Sequence, residues 1–213
     1  MGVRFVPLFP SQLYADVGDY ALAYAKAIQA AFASLDPAQL RKAADCLEQA
    51  TARKATIFVC CNGGSAAISN HFVCDHVKGI RWGSDFHPKV ASLSTNMEIV
   101  TAIANDIGYA YVFDFQLASL AAKGDVLVAI SSSGGSPNIV NALRWARENG
   151  VTSICMSGFD GGEGRKLADI ALHVEAHNYG VVEDVHQSIM HLLAQFIRQK
   201  HLTDSAEIGR IKF

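Results

Sequence analysis

Hydrophobic positions follow a helical spacing at the start of the chain. After Ser11, which can cap a helix, apolar residues recur every three or four positions, at Leu13, Val17, Tyr20, Tyr24, Ile28 and Phe32. Asp36 and Pro37 then have the form of an N-cap followed by a first-turn proline, and they open a second series at Leu40, Ala44 and Leu47. The pattern predicts two consecutive helices between about residues 11 and 53.

After residue 54 the pattern changes to short, nearly continuous apolar runs. Five strands are predicted, at 56–60, 90–93, 125–130, 152–156 and 170–174. Such runs are typical of strands that are covered on both faces. Helical patterns lie between them, as at 136–149 before Gly150, and a last long helix is predicted from about 183 to 200. The alternation predicts an α/β fold, a parallel sheet flanked by helices.

Size and composition favour one folded domain over residues 1–213, with arms before residue 11 and after residue 202. Half of the residues are apolar and 18% are charged, which favours a self-associating globular protein. The net charge is -2 and no Lys/Arg run occurs, so a nucleic-acid partner is not expected.

A membrane or secreted location is also not expected. No apolar stretch approaches the roughly 18 residues that span a bilayer, and the first residues, which include Pro7 and Pro10, lack a signal-peptide pattern. The five cysteines show no CxxC spacing, which favours reduced thiols. The chain is therefore predicted to be cytoplasmic.

Two loops rich in glycine and serine follow predicted strands. The first contains Asn62, Gly63, Gly64 and Ser65, and the second contains Ser131, Ser132, Ser133 and Ser136 before Pro137. Ligands of parallel sheets bind at the carboxyl ends of strands, and free N–H groups at a helix N-terminus bind anions. In the first loop Ser65 can also cap the next helix. Neither loop fits a dinucleotide or Walker motif, so the pattern predicts a monophosphorylated small molecule.

Two pairs of titratable residues share helix faces. His71 and Asp75 are four residues apart, and Glu183 and His191 are eight apart on the last predicted helix. Two imidazoles and two carboxylates can bind a divalent metal such as zinc, or serve as general acid and base. Spacing alone favours the simpler interpretation of surface pairs without a ligand. His76 and His186 are interpreted as structural residues or neighbours of the site.

Six segments carry the most distinctive patterns: NGGS at 62–65, HFVCD at 71–75, TAIAND at 101–106, SSSGGS at 131–136, FDGG at 159–162 and EDVHQSIMH at 183–191. Together they resemble the sugar isomerase (SIS) domains, and among these the phosphoheptose isomerases, from about residue 12 to 200. The resemblance implies a three-layer domain with N-terminal helices, which interconverts sedoheptulose 7-phosphate and D-glycero-D-manno-heptose 7-phosphate. It also implies a homotetramer (or a dimer) with zinc, one ion per subunit.

The resemblance also assigns roles to individual residues. It implies that the sugar phosphate contacts Asn62, Gly63, Gly64, Asn105 and Asp106, and that the phosphate is held by Ser131, Ser132, Ser133 and Ser136. It implies a zinc-linked catalytic set of His71, Asp75, Glu183 and His191, all at or beside the substrate. In that set Asp75 moves the proton and His191 is the partner acid.

Two positions of this set depart from the family. Asp75 stands where the family has glutamate, and Glu183 stands where it has glutamine. The shorter carboxylate must lie closer to its target, and the extra negative charge should strengthen cation binding. Both positions keep an oxygen atom that can bind a metal, so the site is interpreted as modified in its properties and not lost.

Two other functions remain open at this point. One SIS relative is a non-catalytic tetrameric scaffold for a replication initiator, but its helix lacks the acidic residue at the place of Asp75. The other alternative is an isomerase of another ketose phosphate, which the changes at Asp75 and Glu183 allow.

Overall fold

The structure, a computed structural model, describes residues 8–210 and 213, so most of the predicted N-terminal arm lies outside the described residues. The elements in chain order are α1 (Val17–Ala33), α2 (Pro37–Ala52), β1 (Thr56–Cys61), α3 (Ser65–Cys74), β2 (Lys89–Ser92), α4 (Met97–Asp106), α5 (Asp114–Leu120), β3 (Val126–Ser131), α6 (Pro137–Glu148), β4 (Thr152–Ser157), α7 (Gly164–Leu167), β5 (Ile170–His173) and α8 (Tyr179–Lys200). A π-helical segment, Asp75–Ile80, continues α3. Short 3₁₀ turns lie at Tyr109–Tyr111 and Ser205–Glu207.

The five strands form one parallel sheet in the order β2-β1-β3-β4-β5. The chain leaves β1 toward one edge to make β2 and then returns to the other side of β1 to make β3. The gap between the ends of β1 and β3 is therefore the topological switch point, where ligands of open α/β sheets bind. The predicted α/β class is confirmed.

Alternate residues of the central strands pack against opposite helical layers. Ile57 and Val59 of β1 belong to the core under α1, α2, α3 and α8, whereas Phe58 and Cys60 belong to the core under α4, α5 and α6. Residues 57–60 are fully or almost fully buried. Burial on both faces explains the continuous apolar runs in the sequence and gives the predicted three layers.

The ends of several elements differ from the prediction. Asp16 caps α1, because its carboxylate accepts from the N–H groups of Gly18 and Asp19, so the helix begins after it and not at Ser11. The side chain of Leu13 is consequently fully exposed. Helix α8 begins at Tyr179, four residues before the predicted start, because Asn178 caps it.

Other predicted ends are confirmed. Asp36 caps α2 ahead of Pro37, and Gly150 follows the end of α6 with a positive φ of 69°. All five cysteines are free, although Cys74 is exposed. No helix among the described residues combines the length and the apolarity that a bilayer span requires.

A candidate active site at the switch point of the sheet

The two glycine-serine loops line one cavity beyond the carboxyl ends of β1 and β3. Its volume is about 210 Å³. It is lined by Asn62, Gly63, Gly64, Ser65, Ile130, Ser131, Ser132, Ser133, Ser136, Tyr179 and Glu183. The structure therefore brings together nine of the residues that the sequence nominated for substrate, and no lysine or arginine is among these lining residues.

The loop after β3 presents unused polar groups to this cavity. The hydroxyl of Ser132 is buried and has no hydrogen-bond partner among the described residues. Ser136 is the N-cap of α6 without a capping bond from its side chain, and Pro137 begins the helix. A phosphate can satisfy the free hydroxyl and the first N–H groups of the helix, whose dipole also favours an anion.

The conformation of this loop depends on Gly134, which has a positive φ of 64°. Its carbonyl accepts from the N–H of Gly164, and a Cβ at this position would lie 2.0 Å from the carbonyl oxygen of Gly161. The serine loop is thus packed directly against the backbone of the Gly161–Gly162 turn. Gly161 and Gly162, the two glycines of the FDGG segment, therefore support the serine loop.

Replacing Gly134 by Ala should destabilise the protein by about 1–2 kcal/mol for the left-handed backbone, and by about a further 1–3 kcal/mol for the steric overlap. Gly63→Ala is the matched control for this stability measurement, because Gly63 has a similar φ of 54° and nothing lies within 4 Å of its Cβ position. Urea titrations measure both free energies of unfolding. Equal losses in the two variants would contradict the close packing of the serine loop.

The loop after β1 is held by side-chain amides. The side chains of Asn62 and Asn138 exchange two hydrogen bonds, of 2.8 and 2.9 Å, and the hydroxyl of Tyr109 donates to Asn62 Oδ1 at 2.9 Å. The amide of Asn62 is therefore engaged within the protein. Asn62 fixes this loop to α6, and its neighbours Gly63 and Gly64 leave the backbone open to the cavity.

Glu183 lies at the cavity rather than in a metal cluster. Its Oε1 accepts from the hydroxyl of Ser65 at 3.4 Å, and its Oε2 lies 3.3 Å from the Cβ position of Gly64. Ser65 was expected to cap α3, but Gly64 occupies the N-cap and the Ser65 hydroxyl faces this carboxylate instead. A carboxylate therefore borders the glycine loop.

Three of the four predicted metal ligands meet about two helix turns further along α3 and α8. One ligand atom from each of His71, Asp75 and His191 lies within 4.8 Å of the others. Asp75 Oδ2 is 2.6 Å from His191 Nδ1, and Asp75 Oδ1 is 3.4 Å from His71 Nε2. Two imidazoles and one carboxylate with one position left open match the ligand set of catalytic zinc sites. Glu183 is not part of this group.

Asp75 stands at the junction between α3 and its π-helical continuation. Single π-turns within helices occur frequently at functional sites. The side chain of Asp75 is only 9% exposed, whereas those of His71 and His191 are 46% and 34% exposed. The carboxylate is therefore shielded, and the two imidazoles are accessible to a ligand.

Gln187 contacts both imidazoles and was not nominated by the sequence. Its Nε2 lies 2.9 Å from His71 Nδ1 and 2.9 Å from His191 Nε2. The available signal was its position four residues before His191, on the same face of α8. Asn138, Tyr109 and Tyr179 were also missed, because no local pattern separates them from ordinary helix and turn residues.

Asn105 and Asp106 lie apart from both groups. They are the exposed last residues of α4, and the amide of Asn105 donates to Asp106 at 2.7 Å. Neither lines the cavity in the part of the chain that the structure describes. Their contact with substrate stays a prediction.

Two further histidines beside the site are buried. His76 stacks on Phe72, and its Nδ1 lies 3.0 Å from the Phe72 carbonyl. Burial lowers the pKa of His76 and of His186 from 6.5 to about 4. Neutral rings of this kind support the structural interpretation that the sequence favoured for both.

The chain is similar to proteins of one family in sequence and in structure. The family model for the SIS domain matches residues 20–158. A phosphoheptose isomerase of Nitratidesulfovibrio vulgaris (strain DSM 19637 / Miyazaki F) is 43% identical over 144 residues, 68% of this chain and 69% of that protein. A phosphoheptose isomerase of Coxiella burnetii is 36% identical over 169 residues, 78% and 84% of the two chains.

A solved structure agrees with these sequence matches. The phosphoheptose isomerase of Neisseria gonorrhoeae superposes with a TM-score of 0.78 and 30% identity, over 85% of this chain and 96% of that chain. The chain belongs to the SIS-domain family and, within it, to the phosphoheptose isomerases, which are aldose–ketose isomerases.

Proposed function

We propose that this enzyme converts sedoheptulose 7-phosphate to D-glycero-D-manno-heptose 7-phosphate at a zinc-linked site. The observation that carries the proposal is the pairing of an anion cavity with a His–Asp–His cluster along the same two helices. From Ser65 to His71, α3 rises by about 9 Å. A substrate that reaches both groups is a chain of several carbons with its phosphate and its carbonyl at opposite ends.

The cavity holds the phosphate end. The hydroxyls of the serine loop and the first N–H groups of α6 donate to the phosphate oxygens. No cation lines the cavity among the described residues, so these neutral donors carry the binding. They also fix which end of the sugar enters the cluster.

The cluster performs the proton transfer. Asp75 takes the proton from one of C1 and C2 and returns it to the other through an enediol. His191 gives a proton to the carbonyl oxygen and takes one back from the neighbouring hydroxyl, so no net proton is gained or lost. A carboxylate has two oxygens, so one can bind a cation while the other exchanges the proton.

His71, Asp75 and His191 would hold the zinc. Their type and proximity fit a three-ligand zinc site with an open position. When bound, zinc polarises the substrate carbonyl and stabilises negative charge on its oxygen. Glu183, which the sequence nominated as a fourth ligand, lies instead beside Ser65, where it borders the sugar chain.

Glu183 makes an isomerase of another ketose phosphate the second candidate function. Its carboxylate lines the cavity, where it can accept hydrogen bonds from the hydroxyls of the sugar. The same negative charge repels the phosphate group, so the phosphate must bind away from Glu183. The length of the sugar and the position of its hydroxyls then decide which phosphate ester is accepted. Turnover of ketose phosphates of five to seven carbons, compared at one concentration, separates the two candidates.

Assembly and location follow the same proposal. We expect a homotetramer in the cytoplasm, with α1 in the subunit contacts. Val17 and Leu22 of α1 are 82% and 66% exposed in the single chain, and a neighbouring subunit would cover them. Light scattering of the purified protein measures the assembly directly, and a monomer would contradict it.

The first experiment is turnover of sedoheptulose 7-phosphate by the purified protein, as isolated, after chelation and after zinc is restored. We expect chelation to abolish turnover and zinc to restore it, because polarisation of the carbonyl is part of the barrier reduction. Turnover that is insensitive to chelation would contradict the zinc site. A zinc-loaded protein that is inactive on this sugar but active on a shorter ketose phosphate would favour the second candidate.

A further inference from the structure

Four side chains at the cluster form a closed ring of contacts. Asp75 lies between one nitrogen of His71 and one nitrogen of His191, and Gln187 lies between the other two nitrogens. Both contacts of Gln187 measure 2.9 Å. Each imidazole therefore has one nitrogen facing the carboxylate and one facing the amide.

We propose that Gln187 is a positioning residue of the metal site, holding both imidazoles by the nitrogens that face away from Asp75. It donates to both rings when the metal is absent and accepts from both when the metal is bound. This inference rests on the zinc site of the proposed function, but it concerns a residue for which neither the spacing nor the family resemblance gives a role.

Donor and acceptor counting supports the metal-free half of the proposal. A carboxylate only accepts, so the nitrogens facing Asp75, which are His191 Nδ1 and His71 Nε2, carry the ring protons. In neutral rings the outer nitrogens are then acceptors, and each needs one N–H. The amide nitrogen of Gln187 has two such hydrogens and lies at hydrogen-bond distance from both outer nitrogens. Three of the four contacts are therefore hydrogen bonds of ordinary length, and the fourth, between His71 Nε2 and Asp75 Oδ1, is a longer ion-pair contact of 3.4 Å.

The metal-bound half follows from the chemistry of imidazole ligands. A metal held with Asp75 replaces the two protons that face this carboxylate, and each ring then carries its proton on the other nitrogen. Gln187 must now accept twice, which its carbonyl oxygen does with two lone pairs after the amide turns over.

An amide is the side chain that can perform both tasks from one position. Glutamate at 187 accepts twice but cannot donate, and leucine does neither. Residues that orient metal-bound histidines typically contribute 10–100-fold to metal affinity. The proposal therefore predicts different behaviour for two substitutions of similar size.

The test is zinc affinity, measured by competition with a chromophoric chelator. We expect Gln187→Leu to weaken zinc binding by about 10–100-fold, and Gln187→Glu to stay within a few-fold of the parent protein because its carboxylate accepts from both rings. Gln195→Leu, at an exposed position two turns further along α8, is the control and should bind zinc as the parent does. Native affinity in Gln187→Leu, or equal losses in the leucine and glutamate variants, would overturn the proposal.

A second measurement decides the proposal even if the protein takes up no zinc. In ¹⁵N-histidine spectra of the metal-free protein at mildly alkaline pH, His71 should hold its proton on Nε2 alone, and in Gln187→Leu its two nitrogens should show averaged shifts. His71 is the sensitive ring because its contact with Asp75 is long, at 3.4 Å. An unchanged His71 spectrum in the variant would overturn the proposal. So would a zinc-loaded spectrum in which His71 Nδ1 and His191 Nε2 are the metal-bound nitrogens.

Absence of zinc from the parent protein would instead count against the proposed function. The spectra of the metal-free protein would then still show whether Gln187 holds the two rings. The two failures are therefore distinguishable.

Discussion

Replacing Asp75 by Asn should lower kcat for the isomerisation by about 10²–10⁴-fold, the usual contribution of a general base. The amide cannot take a proton from carbon, although it keeps an oxygen at almost the same place. Asp75 is buried and its Oδ2 lies 2.6 Å from His191 Nδ1, so the substitution also removes the partner of that ring. Turnover and the exchange of solvent deuterium into C1 and C2 should fall together.

The assay has to separate a base from a metal ligand. Turnover is therefore measured at saturating zinc, where a loss that reflects only weaker metal binding would be restored. Asp75→Glu returns the carboxylate that the family has at this position and should keep measurable activity. Asp45→Asn, at an exposed position on α2, is the matched control and should be fully active. Full activity of Asp75→Asn at saturating zinc would exclude Asp75 as the base.

The sequence predicted the strands well because strands that are buried on both faces are continuous apolar runs in the sequence. Each of the five observed strands lies within one residue of its predicted ends. The order of the strands is not encoded in such runs, and it was the resemblance to the phosphoheptose isomerases that assigned both glycine-serine loops, after the first and third strands, to one sugar phosphate. The sheet order brings those two strand ends together at the switch point.

The helix ends were less predictable because competing caps lie close together in the sequence. Ser11 and Asp16 are both residue types that are preferred at an N-cap. In the structure Asp16 makes the two capping bonds. Both bonds are local, so the sequence pattern offers two equivalent caps and does not show which of them is used.

The metal ligands illustrate the limit of spacing within one helix. Glu183, Gln187 and His191 are successive members of one face of α8, so each could reach the cluster. The choice is made by α3, whose first turn meets Glu183 while its last turn meets Gln187 and His191. Which turn of one helix faces which turn of another is a property of packing, and a sequence does not show it.

Acidification should destabilise the fold through its buried histidines. Burial lowers the pKa of His186 to about 4, and the nearby main chain of Ser157 only partly opposes this effect. The unfolded chain therefore binds more protons than the folded chain, so the stability present above pH 6.5 is lost as the pH falls toward 4. The loss is about 3 kcal/mol for one histidine with this pKa. His76, whose pKa is also about 4, adds a similar amount.

His186→Leu isolates one of these contributions. Neither ring nitrogen of His186 has a hydrogen-bond partner of ordinary geometry in the described part of the chain, so an apolar side chain of similar volume leaves no group unpaired. We expect the variant to be at least as stable as the parent at pH 7. Near pH 5 its free energy of unfolding should fall less steeply, by about 1.4 kcal/mol per pH unit.

Urea titrations from pH 4.5 to 7.5, with a chelator present so that zinc does not contribute, measure these slopes. His87→Gln is the control, because the ring of His87 is exposed and its replacement should leave the acid dependence of the parent intact. If His186→Leu kept the pH slope of the parent, His186 of the parent would take up its proton without loss of stability. The conclusion that this buried histidine is neutral in the folded protein would then be wrong. If the slope is shallower in His186→Leu and not in His87→Gln, part of the acid sensitivity comes from the face of α8 that packs on the sheet. It is then separate from any effect of His71 and His191, which face the substrate.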